Sequence, residues 1–147
     1  MKVSVTKRRQ SLGRDGEQEA ARFLEARGYR IVARNVRAER VEIDLIARRG
    51  PLLVFVEVKS RRETGACGYG RHGAAAEAVD ARKQARIRRG ARAWLGENPE
   101  MRRRAKRLRF DVVTCLRSDR GIAPGSTVKL APPEGTRWSI EHWQAAF

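Results

Sequence analysis

Apolar positions along this chain repeat with two periods, and the change from one to the other divides it into elements. From Ser11 the chain reads SLGRDGEQEAARFLEARGY, in which Leu12, Ala20, Ala21, Phe23 and Leu24 form a stripe at helical spacing. Ser11 is the expected N-cap and Arg27-Gly28 the expected stop. Tyr29 to Val36 reads as a strand. Between Val41 and Lys59, VEIDLIARRGPLLVFVEVK, the period shortens to two, and Arg48-Arg49-Gly50-Pro51 marks a turn between two strands. Ala74 to about Gly96 returns to a helical period, with Ala76, Val79, Lys83, Ile87, Gly90, Ala91, Trp94 and Leu95 on the inner stripe. Glu97-Asn98-Pro99 breaks it. Leu108 to Leu116 is a further strand, Ser118 to Gly135 a connector rich in Gly, Pro and Ser, and Trp138 to Phe147 a short strand with an aromatic cluster. The order helix, three strands, helix, strand, tail predicts an α/β fold, a central mixed β-sheet with helices against it.

Length and charge add a class of partner to this picture. The chain has 147 residues, enough for one domain with a sizeable core, expected over 11–147 behind a flexible basic leader at 1–10. Lys and Arg number 33 against 17 acids, a formal net charge of +16. Such an excess attracts polyanions, nucleic acid first among them. No run reads as a membrane span or a secretory signal, so a cytoplasmic protein is expected. Cys67 and Cys115 stand far apart, and neither His72 nor His142 lies at metal-ligand spacing to them, which argues against a zinc site and a disulfide scaffold. Arg61 to Gly73 reads as a loop, and its Gly68-Tyr69-Gly70 lacks the context of a nucleotide-binding fingerprint.

The candidate chemistry lies in the two-strand stretch. Alternation puts Val41, Ile43 and Leu45 on one face and Glu42, Asp44 and Ile46 on the other; on the second strand Leu53, Phe55, Glu57 and Lys59 share a face. Folding back about Gly50-Pro51 sets Asp44 opposite Glu57 and Glu42 opposite Lys59. A hard divalent cation such as Mg²⁺ or Mn²⁺ takes oxygen ligands and few protein carboxylates, so Asp44, Glu57 and the backbone carbonyl of Val58 form a candidate metal set. Lys59 is the candidate cation for orienting a nucleophile or offsetting phosphate charge. Glu17, at the edge of the first helix's apolar face, is either a helix-dipole partner or an acid for this site. Arg61 and the run Arg102, Arg103, Arg104 and Lys106 are candidate phosphate contacts or a solvated face. Lys83, in the apolar stripe, is expected to snorkel at its edge and is also a candidate nucleic-acid contact. Asp111 reads as structural, paired with an arginine. Ordinary cross-strand ion pairs explain the acidic patch equally well at this stage.

Ordered motifs extend the reading. GRDGE at 13–17, EIDLIA at 42–47, FVEVKSR at 55–61, a Tyr-Gly followed by a helix containing Lys83, RFDVV at 109–113 and a terminal AAF resemble the YraN family of uncharacterised bacterial proteins. That family is similar to the PD-(D/E)xK nuclease superfamily and to the archaeal Holliday-junction resolvases. The resemblance implies a restriction-endonuclease-like fold, a metal-dependent core at Asp44 and Glu57-Val58-Lys59, and Glu17 as the first-helix acid. It also implies DNA, branched DNA included, as substrate and a homodimer suited to two strands. The family's usual Gly before EID is Val41 here. A non-catalytic nucleic-acid-binding or adaptor protein that keeps the nuclease fold is the alternative, and RNA is not separated from DNA by these residues.

Overall fold

The computed structural model describes residues 5–62, 79–118 and 137–147, with side chains from Gln10 onward. Its elements are α1 (Val5–Glu25), β1 (Arg30–Ala38), β2 (Val41–Arg49), β3 (Leu52–Arg62), α2 (Ala81–Glu97), α3 (Pro99–Arg104), β4 (Arg107–Ser118) and β5 (Arg137–Trp143). The five strands form one sheet in sequence order. β1, β2 and β3 pair antiparallel, β3 and β4 parallel, and β4 and β5 antiparallel. A parallel pair demands a crossover, and α2 and α3 lie in it. The result is the expected mixed sheet flanked by helices, compatible with a restriction-endonuclease-like arrangement.

Each helix covers one face. Ala20, Ala21 and Leu24 of α1 pack with Leu45, Ala47, Val54, Val56 and Val113, all buried. Ala91, Trp94 and Leu95 of α2 pack with Ile46, Leu53 and Phe55 on the other face, the Phe55 and Trp94 rings edge to face at 6.0 Å. Central strand β3 is buried on both sides, which is why Leu52 to Val56 reads as an unbroken apolar run rather than an alternating one. α1 ends as Arg27-Gly28 predicts: Gly28 takes φ +80°, its N–H donates to Glu25, and the Tyr29 N–H reaches back to Leu24. That pair of bonds is the Schellman stop, which needs a left-handed residue.

Several boundaries differ from expectation. α1 starts at Val5, so Ser11 is not its N-cap, and the expected leader is helical from residue 5. Thr6 to Gln10 carry no apolar period, yet Lys, Arg and Gln propagate a helix well once packing further along has nucleated it. α2 starts at Ala81, where the Asp80 carboxylate caps the helix by accepting the Lys83 N–H at 2.8 Å. The segment after Asn98 is a short helix rather than a plain break, with Pro99 in its first turn and Arg102 to Arg104 in its last. The glycine-rich loop beyond Arg62, Cys67, His72, residues 74–78 and the connector after Ser118 lie outside the described residues. No helix among the described residues is long and apolar enough to cross a membrane.

Candidate metal and phosphate site

β2 pairs with β3 from Arg49↔Leu52 to Leu45↔Val56, while its pairing with β1 continues to Ala38↔Val41. Asp44 and Glu57 are next in line after Leu45 and Val56, which is the register read from the hairpin. There β2 leaves β3 and runs on with β1 as a two-stranded ribbon, which twists more strongly than an open sheet. Ile43 consequently packs on the α2 face with Ile46, whereas Leu45 packs on the α1 face. This corrects the strict alternation that put Ile43 and Leu45 together. Glu42 follows the ribbon: it stands across from Arg37 on β1 and pairs with it at 3.9 Å. The expected Glu42–Lys59 pair is therefore not formed.

The gap left by the separating strands is filled by the acids. The Val58 N–H donates to Asp44 Oδ2 at 2.7 Å, a ladder bond taken over by a side chain. Glu57 is buried, its side chain 8% exposed. Lys83 Nζ of α2 donates to Glu57 Oε1, and Lys59 Nζ lies 3.2 Å from the same oxygen. Burial, then the Glu57 charge, push the Asp44 carboxyl up to about 7, against the Val58 hydrogen bond that favours its ionised form; Glu17 adds repulsion and Lys83 offsets part of it. Burial disfavours the Lys83 charge, but the hydrogen bond and charge of Glu57 prevail and raise its pKa above the ordinary lysine value. Lys83 was expected to snorkel toward water; instead it is turned inward onto a buried carboxylate.

Glu17 is brought near by close helix packing. A Cβ on Gly16 would fall 1.8 Å from Ser60 Oγ, so only glycine lets α1 lie this tightly on β3. Glu17 follows it, half-buried and close enough for its charge to act on Asp44. Arg61 continues the Glu57–Lys59 side of β3 to its exposed end. The run Arg102 to Lys106 is elsewhere: the Lys106 N–H donates to Pro51 at the start of β3, about 20 Å from Glu57 at roughly 3.3 Å per strand residue. Arg103 and Arg104 there pair with Glu100.

Asp44 and Glu57 open onto a groove of about 500 Å³ that Val41, Glu42, Asp80 and, from α2, Arg82, Lys83, Arg86 and Ile87 also line. Arg82 and Arg86 were not among the residues expected at the site. Their signal in the sequence is their place beside Lys83, one turn apart on the flank of the inner stripe. Among the described residues no three Asp, Glu, His or Cys side chains converge as a ready-made metal cage. Two repelling carboxylates beside a backbone strand are nonetheless the donor chemistry of a hard cation, which takes one or two carboxylates and fills its shell with water and substrate oxygens. The residues present fit such an ion.

A second polar cluster lies on the α1 face. Asp111, 0% exposed, accepts Arg109 Nε and Nη2 at 2.8 Å each, the Ala145 N–H at 3.0 Å and a bond with His142 Nε2 at 2.7 Å. Arg109 Nη2 also donates to Tyr29 Oη at 2.8 Å. Burial works against the Asp111 charge, but the His142 and Arg109 bonds and the Ala145 N–H outweigh it and hold its carboxyl below the usual range. The expected arginine partner is thus Arg109; the chain-terminal residues that complete the cluster were not anticipated.

Comparison with known proteins places these residues in a family frame. The profile of Uncharacterised protein family UPF0102 matches residues 16–115, a span that holds Glu17, Asp44, Glu57, Lys59, Lys83 and Asp111 and stops before His142. A UPF0102 protein of Frankia casuarinae is 47% identical over 111 residues, 76% of this chain and 86% of its own. One of Symbiobacterium thermophilum is 50% identical over 105 residues, 69% and 79% of the two chains. One of Nocardia farcinica is 47% identical over 139 residues, 95% and 91%.

Proposed function

The chain belongs to the uncharacterised family UPF0102, and from that premise we propose that it is a metal-dependent endonuclease-like protein hydrolysing phosphodiester bonds in DNA, branched DNA included. The observation that carries the reading is the Asp44–Glu57 pair, a half-buried and a buried carboxylate set side by side where β2 leaves β3 in a strongly cationic protein. Buried like charges are costly unless a cation offsets them, and Lys83 and Lys59 both converge on Glu57 rather than on Asp44.

Asp44, Glu57 and the Val58 carbonyl would hold a Mg²⁺ or Mn²⁺ ion. Such an ion lowers the pKa of an attacking water and offsets charge on the phosphoryl group when bound. The protein's own groups do the rest. The Val58 N–H fixes the Asp44 carboxylate. Lys59, anchored 3.2 Å from Glu57, presents an ammonium beside the pair, where it orients the nucleophile or stabilises developing negative charge. Glu17 completes the acidic side from α1. The contacts of Lys83 and Lys59 with Glu57 also suit a second reading, a nucleic-acid-binding protein without turnover, since they neutralise Glu57 without a metal.

Purified protein incubated with Mn²⁺ and linear, nicked, forked and four-way DNA separates the two. Cleavage is expected, and Asp44→Ala is expected to reduce it by at least roughly a hundredfold, the scale on which losing one electrostatic stabiliser acts, with the fold retained. No cleavage of any of these substrates, or equal cleavage by the variant, would overturn the hydrolase reading in favour of the binding one.

A further inference from the structure

The hydrolase reading names a reacting centre but not the groups that lay a substrate across it, and a role for such groups rests on that reading. Many arginines here are matched to acids: Arg22 with Glu19, Arg37 with Glu42, Arg89 with Glu39, Arg103 and Arg104 with Glu100, Arg109 with Asp111. Arg82 and Arg86 differ. Both are exposed and both line the groove that holds Asp44 and Glu57. Neither forms an ion pair among the described residues, although Glu42 and Asp80 line the same groove: Glu42 is taken by Arg37, and Asp80 caps α2. Their neighbour Lys83 is committed to Glu57. The groove is therefore lined by carboxylates of β2 and β3 and, from α2, by two guanidinium groups that form no ion pair among the described residues.

Arg82 and Arg86 are one turn apart, about 6 Å along the helix axis at 1.5 Å per residue. That spacing suits neighbouring phosphates on one strand, and a planar guanidinium meets a phosphate with paired hydrogen bonds. We propose that Arg82 and Arg86 form a phosphate rail: α2 grips successive phosphates of a single nucleic-acid strand and guides that strand along the groove past Asp44 and Glu57. The guanidiniums offset strand charge while the acids remain free for chemistry. The more numerous cations of Arg102 to Lys106, at the far end of β3, contribute general attraction but not this grip.

The test measures binding without turnover. A short fluorescein-labelled DNA strand is titrated with protein in EDTA over a series of NaCl concentrations, and log K is plotted against log salt. Removing one guanidinium from a phosphate of a single strand should lower the slope by about 0.7, so R82Q/R86Q is expected to lower it by about 1.4. R102Q/R103Q removes the same net charge from the other end of the sheet and is expected to change the slope less. Thermal melting should show both variants folded, since all four side chains are exposed. An unchanged slope in R82Q/R86Q overturns the rail. So do equal changes in the two double variants, because net charge alone would then explain binding. If no Mn²⁺-dependent cleavage is found while R82Q/R86Q still shows its deficit, the hydrolase reading fails and the rail stands.

Discussion

Two aspartates of one sheet, Asp44 half-buried and Asp111 buried, carry opposite environments and opposite pH signatures. Asp44 is desolvated and then crowded by Glu57 and Glu17, and its carboxyl is raised to about 7 in the folded chain from 3.8. Between those values the folded state binds more protons than the unfolded state, so stability falls as pH rises from about 4 to about 7. By linkage the loss amounts to roughly 4 kcal/mol at most in metal-free protein. Asp44→Asn, whose amide oxygen still accepts the Val58 N–H, is expected to remove that loss and to be more stable than wild type at pH 8 in EDTA. Saturating Mn²⁺ should restore stability to wild type and leave the variant unmoved; urea titrations at pH 5 and 8 check both. Asp111 acts in the other direction. Its carboxyl is lowered, so its contribution is present above the unfolded value and is lost as pH falls through the folded one.

At the scale of elements, the ribbon β1–β2 and helix α2 meet at Val41 and Gly90. A Cβ on Gly90 would lie 3.0 Å from both Cβ and Cγ1 of Val41, so the helix approaches the strand where it has no side chain. Val41 is itself buried in this contact. Gly90→Ala gains about 1 kcal/mol of helix propensity but overpacks a β-branched neighbour, which typically costs about 1–3 kcal/mol. The substitution is expected to destabilise the natural chain and to be better tolerated in a Val41→Gly background, which removes both close atoms. A double-mutant cycle by urea denaturation should give a coupling of about 1–2 kcal/mol, and additivity within error would show that the contact is loose. The same helix carries Lys83, Arg82 and Arg86 along the groove.

Over the whole molecule, the Asp111 cluster fastens the end of the chain to its beginning. It joins β4 through Arg109, β5 through His142, the terminal residues through Ala145, and the exit of α1 through Tyr29. Removing the acid leaves Arg109 and its partners partly buried and unmatched, which for a broken buried pair costs about 3–5 kcal/mol. Asp111→Ala is expected to lose stability on that scale and to expose β5 and the terminal residues to hydrogen exchange before the rest of the sheet. Exchange that speeds up evenly across all five strands would show that the cluster does not latch the terminus in particular. The two polar centres sit on opposite faces, the cluster under α1 and the groove under α2, so the effects of this substitution and of R82Q/R86Q on stability should add.

What local pattern alone determines here is considerable. The two strands between Val41 and Lys59, joined by the Gly50-Pro51 turn, are enough to set Asp44 beside Glu57, because the offset between them follows from a two-residue turn. The inner stripe of α2 from Ile87 to Leu95 and the stop at Gly28 are equally local. What the tertiary structure decided is where strands part and which helix face meets them. β2 leaves β3 after Leu45, which gives Glu42 to Arg37 and frees the Val58 N–H for Asp44. α2 turns Lys83 onto Glu57 and leaves Arg82 and Arg86 over the groove. The run Arg102 to Lys106 is the densest charge in the linear chain, yet it lies at the wrong end of β3. Strand alternation and helical spacing are set by neighbours in sequence; the approach of one element to another is set by packing, which depends on residues far apart in the chain such as Gly16 with Ser60 and Gly90 with Val41.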